Sequence, residues 1–159
     1  MTASQRPFPL PRKLERDLAR ALTFWTKLKR RDAEMPFWDD VKLSEIPQLS
    51  DRLVMIDAFD KPNRFRVAFA LIGADVVAAY GGDLAGKFLD EIEIRRPLQF
   101  IVSQCSATVE SRAPTYYRHA VAGRPRGKGA AKGSYSRLLL PLWGEGRIGM
   151  LLGAFSFKE

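Results

Sequence analysis

The run Arg64–Ile92, RFRVAFALIGADVVAAYGGDLAGKFLDEI, decides how the rest of the chain is read. Its first nine residues alternate as a half-buried strand does, with Phe65, Val67, Phe69 and Leu71 on one side. Arg64, Arg66, Ala68, Ala70 and Ile72 fall on the other. Gly73 breaks that period, Asp75–Tyr80 turns helical, and Gly81-Gly82 stops the helix. A second one-turn helical segment is expected around Leu89 and Ile92. The glycines read as breaks between short helices, and Asp75 and Asp83 as helix caps rather than as a phosphate or metal site.

Upstream, Leu53–Phe59 reads as a first strand, joined to the second through the turn residues Asp60-Lys61-Pro62-Asn63. Residues 32–52 carry Met35-Pro36 and Ile46-Pro47 and read as an irregular connection with one short helix near Val41–Glu45. Between residues 14 and 31, Leu14, Leu18, Leu22, Trp25 and Leu28 recur at spacings of three and four, the stripe of an amphipathic helix. That stripe must be buried, either against the body of its own domain or against a second copy or partner. Residues 1–13 are expected to be a flexible, proline-rich basic leader.

Downstream, a longer helix is expected from Arg95 or Pro97 to Ser111. Its stripe is Leu98, Ile101, Val102, Cys105 and Val109, while Gln99, Ser103, Gln104, Ser106 and Glu110 face more polar surroundings. Pro114–Val121 reads as a strand and Gly123–Ser134 as a flexible basic loop. Tyr135–Trp143 and Arg147–Phe157 close the chain as a hairpin across Gly144-Glu145-Gly146. Residues 32–159 thus form one domain, within reach of a single core at 159 residues in all.

The net charge of +8 is unevenly spread. Residues 1–31 carry +7, residues 32–113 carry −5, and residues 114–137 carry +6 with no acid among them. A surface built throughout for a polyanion is excluded by the acidic middle. A single cysteine excludes an internal disulfide and fits a reducing compartment. Neither a signal peptide nor an apolar run long enough for a bilayer is visible, so a cytoplasmic protein is expected.

The element order, with the aromatic pair in LTFWTKLKRRDAEMP, the IPQL before the first strand, the G-x-D-L-x-G of Gly82–Gly86 and the closing SRLLLPLWGEGRIGMLLGAF, resembles the proteobacterial single-domain PAS-like proteins of the PAS_5 type. The resemblance covers roughly residues 22–157 and departs in the length of the Gly123–Ser134 insert. It implies an α+β fold: a five-stranded antiparallel sheet, short helices and one longer helix on one face, plus the N-terminal helix. It also implies a sensory or interaction role without an attached output domain. A homodimer through the N-terminal helix is expected, with the signal passing to a separate signalling protein.

Little in the chain supports catalysis. The lone His119 lies on an expected strand and reads as structural. Haem-binding PAS relatives take their ligand from the longer helix, whose matching positions Gln99–Ser106 hold no histidine. Cys105 sits mid-stripe and reads as a small core residue, without the sequence context of flavin-binding PAS relatives. One histidine and one cysteine in the whole chain argue against a zinc site. The Gly-rich loop fails the phosphate-loop pattern, since Gly127-Lys128 is followed by Gly129. Arg124, Arg126, Lys128 and Lys132 offer phosphate contacts, but the loop has no interleaved aromatics for base stacking.

A PAS-like cavity between sheet and longer helix would be walled by Leu98, Ile101, Val102 and Cys105. Tyr80 would close one end, and Tyr117 and Leu140 would come from the sheet. Arg66 reads as outward-facing or at the rim. The expectation is therefore a non-enzymatic PAS-like regulatory module working through protein contact, with room for a small apolar ligand and no cofactor. The alternative is binding to nucleic acid or another anionic surface through the basic leader and the basic loop.

Overall fold

The computed structural model describes residues 7–121 and 133–157. The loop residues Arg124, Arg126, Lys128 and Lys132 lie outside the described residues. The chain forms α1 (Arg16–Leu28), β1 (Leu53–Ala58), β2 (Phe65–Ile72), α2 (Ala74–Tyr80), α3 (Ile101–Ser111), β3 (Thr115–His119), β4 (Tyr135–Gly144) and β5 (Arg147–Phe157). The strands make one antiparallel, open sheet in the order β2-β1-β5-β4-β3. Helices are few, and the architecture is α+β.

Strand alternation assigns the two faces. Val54, Ile56, Leu139, Leu151 and Phe155 point one way, toward α3. Leu53, Leu138, Leu140, Leu152 and Ala154 point the other way, toward α1. Both faces of β4 and β5 are buried, which is why these strands read as nearly continuous apolar runs rather than as strict alternation.

α1 docks its stripe on its own sheet. Leu18 and Trp25 are buried, and Leu14, Leu22 and Leu28 pack at the margin of the same core. Trp25 Nε1 donates to the Pro141 carbonyl at 2.8 Å, anchoring the helix to β4. Glu15, just before the helix, accepts from Tyr116 Oη at 2.9 Å and from Ser136 Oγ.

Several expectations give way. Residues 38–52 hold three short 3₁₀ turns (Trp38–Asp40, Leu43–Glu45 and Pro47–Arg52) instead of one helix. No helix forms around Leu89 and Ile92; α2 is the only one between β2 and α3. Residues 86–89 instead lie along the outer edge of β2. Val67 N–H donates to the Lys87 carbonyl at 2.9 Å, and Leu89 N–H to the Phe65 carbonyl at 2.8 Å. An edge strand's unpaired backbone groups need partners, and this extended run supplies them. Phe69, which alternation puts on the same side as the buried Phe65 and Val67, is 72% exposed and lies across Gly86. α3 begins at Ile101 rather than at Pro97.

Gly73, which ends β2, is required by proximity. A Cβ there would collide with the Asp51 backbone carbonyl, a group that cannot swing aside. The leader is not free over its described length either. The Phe8 carbonyl accepts from Tyr116 N–H at 3.0 Å, so the chain runs beside β3 before α1 begins. No helix among the described residues is long and apolar enough to cross a membrane.

Candidate functional site

The layer between α3 and the sheet, where the sequence puts a cavity, is occupied by Arg137. This side chain projects from β4 toward α3 and is fully buried. Its Nε donates to Gln104 Oε1 at 2.7 Å, Nη1 to the Pro97 carbonyl at 2.8 Å, and Nη2 to the Gln99 carbonyl at 2.8 Å. Its guanidinium also lies 4.9 Å from the Tyr117 ring centroid. Gln104 Nε2 in turn donates to Thr115 Oγ1 at 3.1 Å, and Thr115 and Thr108 share a hydroxyl contact at 2.6 Å.

Among the described residues no carboxylate pairs with Arg137. Burial pushes its pKa down from the usual guanidinium value. A guanidinium nonetheless stays ionised in proteins, so the charge is held by dipoles and a ring face. Gln104 was expected in polar surroundings, and it has them, but inside the protein. Arg137 was not singled out in the sequence. The signal was there: a cation at the third position of a long, largely apolar strand.

The expected pocket residues do not converge. Leu98, Ile101 and Cys105 belong to the solid core, and Val102 packs at its margin. Desolvation pushes the Cys105 thiol up to about 12 against the opposing pull of nearby Arg137, which suits a buried structural cysteine. Tyr80 is buried and donates to the Glu93 carbonyl at 2.7 Å. Leu140 is on the α1 face of β4, the opposite side from Tyr117, so the two cannot line one cavity. Arg66 is partly exposed and pairs with Asp57 at 2.8 Å.

A cleft of about 360 Å³ lies instead beside the later half of α3, between the tips of the β1–β2 and β4–β5 hairpins. Phe65, Val109, Ile148 and Trp143 give it an apolar lining. Arg147 lines its wall and donates to the Ala58 carbonyl at 2.7 Å, tying the two hairpins together. Ser106 Oγ donates to Asn63 Oδ1 at 2.6 Å, which fastens α3 to the β1–β2 turn. Arg112 at the end of α3 pairs with Glu34 at 2.7 Å and lies over the Trp143 ring. The size is that of a small-molecule site. Sequence reading passed over Trp143 and Arg147 because their roles depend on two hairpin turns meeting.

A third feature is the outer edge of the sheet at β3. Tyr117 meets Phe8 edge-on at 6.2 Å and Phe100 at 5.7 Å, and His119 stacks on Tyr135 at 5.4 Å. His119 Nδ1 and Tyr117 Oη are 2.8 Å apart, and this contact gives the histidine a structural partner. The basic loop lacks aromatics of its own, but the fold sets this group of rings at the strand that leads into it. Among the described residues no cluster of histidine, cysteine and acids could hold a metal ion.

No family model matches the chain, and no curated protein matches it.

Proposed function

We propose that the chain is a PAS-like regulatory module that acts through protein contact, with the cleft beside α3 as the seat of a small, largely apolar ligand and with no catalytic activity. The observation that carries the reading is the sheet order β2-β1-β5-β4-β3, with the helices inserted between β2 and β3. The succession of two strands, helix, and three strands agrees at a coarse level with the element order expected from the sequence, and α3 borders the cleft. Ser106 and Arg112 link α3 to the β1–β2 turn and to Glu34, so occupancy of the cleft would bear on elements at its rim. A reducing, cytoplasmic setting belongs to the same proposal and suits the lone buried thiol. So does a homodimer or a separate signalling partner, which would have to use a surface other than the α1 stripe.

Native mass spectrometry of the purified chain tests both parts. An added mass that disappears in Val109→Trp, where the new side chain fills the cleft, supports a ligand there. A bare mass, or an added mass unchanged by Val109→Trp, removes the cleft from the proposal. A strictly monomeric mass at high concentration removes the homodimer.

A further inference from the structure

Arg30, Arg66 and Arg112 hold acids in one way. Each turns the Nε–Nη2 edge of its guanidinium to a single carboxylate, that of Asp40, Asp57 and Glu34 respectively. That edge carries parallel N–H groups, a fork that matches the two oxygens of a carboxylate. Arg147 departs from this pattern. Its Nη1 donates to the Ala58 carbonyl at 2.7 Å and to the Ile148 carbonyl at 3.4 Å. Among the described residues no acid pairs with it, and its Nε and Nη2 find no acceptor. No buried side-chain nitrogen lacks a partner among those residues, so this edge of Arg147 is open to an incoming group. The bond to Ala58 already fixes the guanidinium, which lowers the ordering cost of binding.

Arg147 lines the cleft beside α3. The other charged residues lining it, Asp60, Lys61, Glu110 and Arg112, are all exposed, and their signs cancel. Water and salt screen such rim charges, whereas a partly buried cation keeps more of its field. The charge felt inside the cleft is therefore that of Arg147. The remaining wall is apolar, with Phe65 and Ile148 buried and Val109 and Trp143 partly so. A space of about 360 Å³ has room for one ring or a short chain with a small head group.

We infer that the cleft takes a small monocarboxylic acid, with its carboxylate on the Nε–Nη2 edge of Arg147 and its apolar body against Val109, Trp143 and Ile148. This rests on the reading of the cleft as a ligand seat and adds the head group that the ligand carries. A neutral molecule of the same shape would cover the guanidinium edge without pairing it, and burying an unpaired donor is costly. A dicarboxylate fits less well, because its second acid group would meet Asp60 and Glu110 at the rim with no further unpaired cation inside.

The test is isothermal titration calorimetry on the full chain with hydrocinnamate, hydrocinnamamide and phenylsuccinate. Hydrocinnamate should bind about tenfold more tightly than either of the others. Arg147→Lys keeps a donor for the Ala58 carbonyl but loses the paired edge. It should lose about tenfold in affinity for the acid and nothing for the amide. Val109→Trp, which fills the cleft, should abolish binding of both. The wild-type ratio of acid to amide decides the question even where Arg147→Lys does not fold. Equal affinity for acid and amide, both lost in Val109→Trp, would overturn the carboxylate and leave the cleft as a ligand seat. Binding of none of the probes, or acid binding unchanged in Val109→Trp, would overturn the inference and the ligand seat together.

Discussion

Arg137 on β4 and Gln104 on α3 are joined side chain to side chain, Nε to Oε1 at 2.7 Å, across a layer from which solvent is excluded. Gln104→Leu takes away an acceptor from a buried cation and a donor from Thr115. Stability should fall by about 2–3 kcal/mol in urea denaturation. Adding Arg137→Met, which replaces the charge with an apolar chain of similar length, should restore most of that loss. A coupling below about 0.5 kcal/mol in the double-mutant cycle would mean that the two residues act independently.

Docking of α1 on its own sheet predicts a purely intramolecular cost for disturbing its stripe. Leu18 is fully buried, so Leu18→Ala should lose about 2–5 kcal/mol. Trp25→Phe leaves the Pro141 carbonyl without its donor and should lose about 1–2 kcal/mol. Sedimentation should give both variants the wild-type mass. A change of mass without a loss of stability would place the stripe between chains instead.

Alkali should unfold the protein through two neutral groups. Desolvation raises Cys105 from 9.0 to about 12, and it raises Tyr135 from 10.0 to about 12. Each is an acid whose neutral form is favoured by folding. The stabilisation is therefore complete below about 9 and is lost as pH rises from there through about 12. Denaturation midpoints measured across this window should fall, and Cys105→Ala should fall less steeply over its lower part. At neutral pH a thiol reagent should modify Cys105 only as fast as the chain unfolds.

Strands β4 and β5 and the turn between them were readable almost to the residue, because apolar runs and a Gly-Glu-Gly turn are local signals. Residues 86–89 were not. An apolar pair such as Leu89 and Ile92 suits one turn of helix as well as an extended run, and the choice is made by β2, distant in kind if not in sequence. The start of α3 was misplaced for a similar reason. The carbonyls of Pro97 and Gln99 turn toward Arg137, a residue 40 positions from Pro97, so the helix waits until Ile101. The expected cavity failed on the same side chain. Alternation puts Arg137 on the α3 face, but nothing in periodicity says that a guanidinium will fill the space meant for a ligand. The cleft and the gathering of rings at β3 both arise from pairs of segments remote in sequence, which no single stretch can announce.

The two margins of the sheet are closed by very different means. Residues 86–89 run along β2 through several backbone hydrogen bonds. Among the described residues, β3 is met on its outer side by Phe8, through a bond from Tyr116. An uncovered strand margin is a template for pairing with another chain. Removing the residues up to Leu14 would take away the Phe8 carbonyl and leave the Tyr116 N–H open, so the trimmed chain is expected to assemble edge to edge more readily, which light scattering would detect.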